Sequence, residues 1–212
     1  GGPELARVAA EVLAGKGIEV HLFPALRPTP QLSFTVRHLE CTSGIVITAS
    51  HNPKEYNGYK VYWNDGGQIV PPHDHAIIEE VRGVVGPHAV KWGKDEDSQN
   101  RIKITDTATD EAYFRTVADL RMDSDLIENG SSLPIVYTPL HGTGAVSVIP
   151  ALARAGFRNV HIVESQREPD GNFPTVHSPN PEEGAALSAA IERAKEVDAQ
   201  LVLGTDPDAD RV

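Results

Sequence analysis

Residues 135–163, IVYTPLHGTGAVSVIPALARAGFRNVHIV, decide the fold class of this chain. The two ends of the stretch, Ile135 to Tyr137 and Val160 to Val163, are short runs rich in β-branched residues, and such runs predict strands. Residues 145–155 between them place apolar side chains at helical spacing, and Gly156 follows as a helix stop signal. Strands that alternate with amphipathic helices predict α/β layers around a largely parallel sheet.

The same alternation extends to both sides of this stretch. Downstream it predicts a long loop over 164–180, a helix near 182–197 and a strand from Leu201 to Leu203, and a helix near 108–120 comes before it. In the first half the predicted helices are residues 4–14, a segment marked by Leu32, Val36 and Leu39, and a segment around 74–85. The strands predicted there are Ile18 to Phe23, Ile45 to Thr48 as a buried central strand, and Tyr59 to Trp63, which Asn64-Asp65-Gly66-Gly67 turns into a hairpin.

The most polar stretch of the chain, residues 93–103, lacks hydrophobic periodicity and is the candidate boundary between domains. We therefore predict two domains, residues 1–104 and residues 105–212. A domain usually has roughly 100–200 residues, so the 212 residues accommodate both.

The composition is that of an acidic globular protein. The 30 acidic residues outnumber the 19 Lys and Arg residues and set the net charge at −11, which argues against nucleic acid or an anionic membrane as the main partner. Cys41 is the only cysteine, so an internal disulfide and a cysteine-rich zinc site are excluded. No signal peptide or membrane-spanning stretch is visible, and we expect a cytoplasmic protein.

Ligands of open α/β sheets bind beyond the carboxyl ends of the strands, which singles out the loops 48–58, 138–144 and 204–211. The last of these places Asp206, Asp208 and Asp210 at alternate positions directly after a predicted strand. Crowded carboxylates repel one another, and a divalent cation with oxygen ligands, Mg²⁺ or Ca²⁺, relieves the repulsion. A solvated acidic turn is the alternative. An EF-hand loop fits poorly, because Arg211 stands where that loop needs glycine.

The loop 48–58 presents Ser50 at the end of a predicted strand, where a nucleophile would be exposed. A G-x-S-x-G elbow is missing, so a hydrolase triad is unsupported. His51 is not expected to act as the base for Ser50, because neighbouring extended side chains diverge. Taken alone, Ser50, His51 and Lys60 would more often be ordinary turn, loop and surface residues.

The loop Thr138-Pro139-Leu140-His141-Gly142-Thr143-Gly144 is a glycine-bearing turn between a predicted strand and a predicted helix. Its backbone N–H groups could bind an anion at the helix N-terminus, and a tight turn explains the glycines equally well. It matches neither a Walker A loop nor G-x-G-x-x-G.

Together, the loops resemble the α-D-phosphohexomutase family, the phosphoglucomutases and phosphomannomutases. The segments that carry the resemblance are spread over nearly the whole chain in family order: Thr48-Ala49-Ser50-His51-Asn52-Pro53, Tyr56-Asn57-Gly58-Tyr59-Lys60, His141-Gly142-Thr143-Gly144 and Asp206-Pro207-Asp208-Ala209-Asp210-Arg211. The Asp-Pro-Asp-Ala-Asp order and Lys54-Glu55-Tyr56 look like the phosphoglucomutase/phosphopentomutase branch.

The resemblance implies two α/β/α three-layer sandwich units with four-stranded, mixed, mostly parallel sheets. It implies that Ser50 is a phosphoserine and that Asp206, Asp208 and Asp210 hold Mg²⁺ together with an oxygen of that phosphate. His51 and Lys60 match positions of proton transfer and phosphate contact, and Arg211 matches a residue near the transferring phosphate. Phosphoryl transfer depends mainly on positioning and charge neutralisation, which a metal and nearby cations supply.

The implied reaction interconverts sugar 1-phosphates and 6-phosphates, or pentose 1- and 5-phosphates, with glucose 1,6-bisphosphate as activator and intermediate. Family members have four domains, and this chain resembles most of the first and the second. We therefore expect a fragment that lacks domains 3 and 4, binds metal and turns over little or no substrate. The alternatives are a metal-dependent phosphatase that uses Ser50 and a non-catalytic Mg²⁺/Ca²⁺-binding module.

Overall fold

A computed structural model describes residues 2–52 and 55–212, apart from the side chain of Ser124. Its residues cluster into two compact units. The first unit consists of the residues up to Leu26, Ser33–Ile47 and Tyr59–Thr109, and the second consists of Arg27–Leu32, Thr48–Gly58 and Asp110–Val212. The division between domains after residue 104 stays a prediction. Two short segments of the first half, which include the loop of Ser50, group with the second unit.

The first half of the chain contains short elements in α/β alternation. In chain order they are α1 (Gly2–Gly15), β1 (Val20–Leu22), α2 (Thr29–His38), β2 (Ser43–Ile47), β3 (Tyr59–Trp63), α3 (His73–Arg82), α4 (Glu96–Asn100) and β4 (Ile102–Ile104). A 3₁₀ turn at Pro87–Ala89 follows α3. The three helices predicted in this half are therefore confirmed, with ends shifted by a few residues.

Two strand pairs organise the first unit. Strands β1 and β4 are parallel, with Val20 opposite Ile102. Strands β2 and β3 are antiparallel, with Ile45 opposite Val61. After β3 the chain reverses as predicted, since the backbone N–H of Trp63 donates to the carbonyl of Gly67 over 2.9 Å. The returning segment forms a single bridge to β3 at Gln68 and no full strand.

The polar stretch 93–103, the candidate boundary between domains, contains α4 and the start of β4, and its place as a boundary stays a prediction. The side chain of Asp95 caps α4 by accepting from the N–H of Ser98 over 2.9 Å, a local bond that hydrophobic periodicity cannot reveal. One expectation for this unit is wrong, that of a buried central strand, because β2 is only partly buried and in the described residues pairs with β3 alone. A short apolar run does not distinguish burial on one face from burial on both.

The second half contains α5 (Thr107–Asp119), α6 (Ser124–Asn129), β5 (Ile135–Thr138), α7 (Ala145–Ala155), β6 (Val160–Ile162), α8 (Ser188–Glu196) and β7 (Leu201–Gly204). The predicted strands and helices of this half are present. Helix α7 ends at Gly156, whose φ of +108° lies in the left-handed region that a residue with a β-carbon rarely adopts. Helix α8 begins six residues later than predicted, because residues 182–187 form turns after Pro181.

A parallel sheet in the order β6-β5-β7 forms the centre of the second unit. The middle strand is the most buried part of the sheet, since Ile135, Val136 and Tyr137 are at most 1% exposed. Val136 packs with Val163, Ala190 and Ala194 in a core under α8. The polar loops that follow β5 and β7 therefore start from a firmly packed sheet, at the carboxyl ends of its strands.

The predicted fold class is confirmed: the chain is mixed α/β with mostly parallel sheets. The four-stranded sheets implied by the resemblance are not observed, because in the described residues the strands form two pairs and one three-stranded sheet. Across residues 2–52 and 55–212, every helix is too short or too polar to span a membrane.

Candidate active site

Loops at the carboxyl ends of β5 and β7 meet at one edge of the second unit's sheet. The backbone N–H of Thr205, directly after β7, donates to the carbonyl of Thr138 at the end of β5 over 3.0 Å. The hydroxyl groups of Tyr137 and Thr205 also lie 2.8 Å apart in the buried interior. These contacts carry the parallel register of β5 and β7 into the loop with the three aspartates.

The aspartate loop begins with a tight turn. The N–H of Ala209 donates to the carbonyl of Asp206 over 3.0 Å, so residues 206–209 form a β-turn with Pro207 at the position that proline favours. One carboxylate oxygen of Asp206, Oδ1, accepts from the N–H groups of Asp210 at 3.2 Å and Arg211 at 3.3 Å. Ala209 sits at a φ of 52°, which is unusual for a residue with a β-carbon. The turn draws the alternating aspartates together.

The three predicted metal ligands form one cluster. Asp206, Asp208 and Asp210 each offer a carboxylate oxygen, and these oxygens all lie within 4.8 Å of one another. Asp206 and Asp208 are buried, whereas Asp210 is exposed. Burial raises the pKa of Asp206 to about 6, and the negative charge of Asp208 adds to the shift. An oxygen-only donor set with excess negative charge fits a hard divalent cation such as Mg²⁺.

Ser50 lies beside this cluster, within the same unit. Its hydroxyl donates a hydrogen bond to Oδ2 of Asp206 over 3.0 Å, and both side chains are buried. The backbone of Ser50 has a φ of 52°, and its N–H donates to the hydroxyl of Thr48 over 2.8 Å. A left-handed serine is a strained conformation of the kind that concentrates at functional sites. The structure thus brings Ser50 and Asp206 together, as the sequence analysis required.

His51 corrects one expectation. Its Nδ1 lies 3.2 Å from the hydroxyl oxygen of Ser50, within hydrogen-bonding distance, although neighbouring side chains were expected to diverge. The expectation assumed an extended backbone, whereas the left-handed φ of Ser50 rotates successive side chains toward each other. His51 can therefore exchange a hydrogen bond directly with Ser50.

Arg211 joins the histidine to the acidic groups. Its Nη2 contacts both ring nitrogens of His51, at 3.0 Å for Nε2. Its Nη1 lies 3.4 Å from Oε1 of Glu182, and its Nε lies 3.8 Å from Oδ2 of Asp206. The guanidinium therefore sits between the imidazole of His51 and two carboxylates. Glu182 was missed by the sequence analysis, because no spacing or motif relates it to Arg211.

The loop after β5 is a structural turn. The backbone N–H groups of His141, Gly142 and Thr143 donate to the carbonyl oxygens of Gln166, Pro139 and Pro207. They are therefore not available to an anion. A β-carbon on Gly142 would lie 2.3 Å from the Cα of Pro207, so only glycine fits against the aspartate loop. These contacts explain the glycine as part of a tight turn, and an anion at the N-terminus of α7 stays a prediction.

Lys60 lies on β3 in the first unit, opposite Val46 of β2. Its predicted roles in proton transfer and phosphate contact stay predictions. Two residues of the motifs quoted above, Pro53 and Lys54, lie outside the described residues.

Two family models match the chain. Residues 1–84 match the model described as phosphoglucomutase/phosphomannomutase, alpha/beta/alpha domain I, and residues 111–212 match the model described as alpha/beta/alpha domain II of the same family. The two matches lie in chain order and together cover most of the sequence.

Curated relatives carry the same group of names. A "probable phosphomannomutase" of Haemophilus influenzae is 41% identical over 98% of this chain and 41% of its own length. A phosphoglucomutase of Staphylococcus haemolyticus is 38% identical over 99% of this chain and 38% of its own length. The human phosphopentomutase is 38% identical over 98% of this chain and 34% of its own length. The chain thus spans between about a third and two fifths of the length of these relatives.

A solved structure has the same fold. The crystal structure from Thermus thermophilus that bears the phosphomannomutase name superposes with a TM-score of 0.81 at 29% sequence identity. The superposition covers 99% of this chain and 44% of that chain.

Proposed function

The chain belongs to the phosphoglucomutase/phosphomannomutase family, and on that premise we propose that it supplies the phosphoryl-transfer centre of an intramolecular phosphotransferase. The reaction interconverts the 1- and 6-phosphates of a sugar such as glucose, or the 1- and 5-phosphates of a pentose. The observation that carries the proposal is the 3.0 Å hydrogen bond from Ser50 to Asp206, which joins the candidate nucleophile to the candidate metal ligands.

Ser50 carries the phosphoryl group in this proposal. The P–O bond of phosphoserine 50 breaks while a sugar hydroxyl oxygen forms a new P–O bond, which yields a sugar bisphosphate and a free serine. The hydroxyl proton leaves the sugar for a base, and the serine oxygen gains a proton. In the second step the bisphosphate returns its other phosphoryl group to Ser50, so the sugar leaves with its phosphate moved. Glucose 1,6-bisphosphate serves as activator and intermediate.

Asp206, Asp208 and Asp210 would hold Mg²⁺, and an oxygen of the phosphate on Ser50 would complete the ligand set. When bound, the ion neutralises charge on the phosphate oxygens and orients them for displacement. Asp206 also holds the hydroxyl of Ser50 by its Oδ2 atom. The direction of the serine is therefore set by the residue that would share its metal.

His51, Lys60 and Arg211 are the proposed groups for proton transfer and phosphate contact. The Nδ1 atom of His51 is 3.2 Å from the serine oxygen, a distance at which a proton can pass between them. Arg211 contacts the ring of His51 and is the nearest guanidinium along the chain to the aspartates, so it suits a phosphate on Ser50. A phosphoserine carries about −1.5 to −2 charges, and cationic side chains beside it would offset that charge in an acidic protein.

The substrate is a phosphosugar, and the parts of the enzyme that recognise its sugar lie in further domains, 3 and 4, of a longer chain. The relatives support this arrangement, because this chain spans only 34–41% of their length. We place the enzyme in the cytoplasm, since its single cysteine fits a reducing compartment, and its acidic charge argues against nucleic acid or a membrane as partner.

Mass spectrometry of the complete protein tests the proposal. Incubation with glucose 1,6-bisphosphate and Mg²⁺ is expected to add the mass of one phosphate, and peptide mapping is expected to locate it on Ser50. The matched control is Ser188→Ala, which is expected to take up the phosphate as wild type does. Ser188 is exposed, and its hydroxyl donates to the carbonyl of Ala185 in the same turn. Retention of the phosphate until a sugar monophosphate is added supports the mutase. Rapid release of the phosphate from Ser50 as inorganic phosphate would identify a phosphatase instead. If no phosphate is added at all, the non-catalytic cation-binding module would be favoured.

A further inference from the structure

Thr29 contacts Asp208 through both its backbone and its side chain. The N–H of Thr29 donates to the carbonyl of Asp208 over 2.9 Å, and its hydroxyl donates to Oδ2 of the same residue over 3.2 Å. Both residues belong to the second unit and are at most 5% exposed. The two positions are 179 residues apart, so the contact exists only in the folded chain.

The two bonds restrain different parts of Asp208. The backbone bond holds the main chain of the aspartate loop at its middle residue. The side-chain bond occupies Oδ2 and limits rotation of the carboxylate, which orients the other oxygen. Carboxylate ligands of metal sites are commonly oriented by hydrogen bonds of this kind, and such partners tune affinity without touching the ion.

A largely buried polar network holds the segment of Thr29 in place, although Arg27 and Asp110 are only partly buried. The guanidinium of Arg27 donates to both carboxylate oxygens of Asp110 on α5, at 3.0 Å and 2.7 Å. Gln31, which is 1% exposed, donates to the same carboxylate and accepts from the hydroxyl of Ser147 on α7 at 3.0 Å. Thr29 therefore lies between two residues that are fixed to the helices of the second unit.

We propose that Thr29 is a positioning residue for the divalent-cation site, which orients the carboxylate of Asp208 from a rigid segment anchored by Arg27 and Gln31 on Asp110. The proposal rests on the proposed function in one respect, that Asp208 is a metal ligand. It adds a residue from the first 30 positions to a site whose candidate carboxylate ligands all come from residues 206–210.

Calorimetric titration of the metal-free chain with Mn²⁺ tests the role without any measurement of turnover. Thr29→Val keeps the shape and the backbone bond and removes the hydroxyl donor, and we expect it to weaken Mn²⁺ binding by about 10- to 100-fold. Thr29→Ser retains the hydroxyl, so we expect it to bind Mn²⁺ within about 3-fold of wild type. Loss of an outer-shell partner has a larger effect than this. Thr116→Val, which removes a hydroxyl bonded within α5, is the matched control and is expected to bind as wild type.

A second measurement separates orientation from general destabilisation. In a chain that already carries Asp208→Asn, Thr29→Val is expected to cost no further affinity, because it acts through that carboxylate. Thr29→Ala carries the same predictions if the valine variant does not fold. Wild-type affinity in Thr29→Val, or an equal loss in Thr116→Val, would overturn the positioning role while the mutase proposal stands. Failure of the wild-type chain to bind Mn²⁺ would overturn the metal site itself, whereas missing phosphorylation of Ser50 with a weakened Thr29→Val would overturn only the mutase.

Discussion

The hydroxyl of Ser50 donates a hydrogen bond to the carboxylate of Asp206 over 3.0 Å, across 156 positions of sequence. Both side chains are buried, and the carboxylate has a pKa raised to about 6 by its removal from water. The local sequence of either loop gives no sign of this bond, which joins a serine with a strained backbone to a buried carboxylate. This bond connects the candidate nucleophile to the candidate metal site.

Replacement of the serine hydroxyl is expected to abolish phosphoryl transfer. In the complete protein, Ser50→Ala should lower mutase turnover by about 10⁴-fold or more, since removal of a covalent nucleophile has effects of this size. A coupled assay of glucose 6-phosphate formation measures the loss, with Ser188→Ala expected to match wild type. Turnover within about 10-fold of wild type, far less than the loss of a nucleophile causes, would show that the phosphate is carried elsewhere.

Divalent cations are expected to stabilise the chain through the three aspartates. A ligand that binds only the folded state at 100 times its Kd adds about 2.7 kcal/mol to the free energy of unfolding, and Mg²⁺ or Mn²⁺ should raise the melting temperature accordingly. Asp208→Asn should remove most of this increase, whereas Asp125→Asn, an exposed acid on α6, should retain it. Thermal unfolding with cation and with a chelator measures both. An unchanged increase in Asp208→Asn would exclude the carboxylate as a ligand.

Gly142 is expected to tolerate no side chain. A β-carbon there would meet the backbone of Pro207 at 2.3 Å, so Gly142→Ala must displace the aspartate loop or the turn after β5. We expect a loss of about 1–3 kcal/mol in the free energy of unfolding, the range for overpacked sites, together with weaker Mn²⁺ binding. Gly171→Ala and Gly184→Ala, whose β-carbons would meet nothing within 4 Å, are the controls in urea denaturation. Equal stability of all three variants would contradict the close approach.

His141 is expected to make stability depend on pH. Burial lowers its pKa in the folded chain below the ordinary value, although the charge of Asp170 and a hydrogen bond to the backbone of Glu168 oppose the shift. Between the folded pKa and about 6.5, the unfolded chain binds more protons than the folded one, so the free energy of unfolding falls as the pH falls through this window. Above a pH of about 6.5 this contribution is fully present.

Urea denaturation between a pH of about 7.5 and about 5.5, on either side of the ordinary histidine pKa, measures the effect. The difference in unfolding free energy between wild type and His141→Gln should shrink as the pH falls, because only wild type loses the contribution. Thr175→Val removes the partner that lies 2.8 Å from Nε2 of His141 and adds no titrating group. Its cost should therefore change less with pH. A constant difference for His141→Gln across the range would contradict the prediction.

Local sequence patterns were sufficient for most elements of this protein. The alternation of residues 135–163 was enough to predict β5, α7 and β6, and Gly156 marked the end of the helix, because helical spacing and a left-handed glycine are local properties. The alternate spacing of the three aspartates predicted that they cluster, because one tight turn is enough to bring them together. Helix α4 was not predicted, because it lies in a polar stretch without hydrophobic periodicity and is capped by the side chain of Asp95.

Contacts between distant segments could not be predicted from local patterns, and only the family resemblance implied that Ser50 and the aspartates share one site. No spacing rule relates Thr29 or Glu182 to the aspartate loop, and the contact of His51 with Ser50 depends on one left-handed φ. The sequence by itself determined which residues could form strands, helices and an acidic turn, since those choices depend on short-range sterics and periodicity. Only the tertiary structure decided that Ser50, Asp206 and Thr29 meet in one unit, because burial and long-range hydrogen bonds form when the chain is folded and no local pattern encodes them.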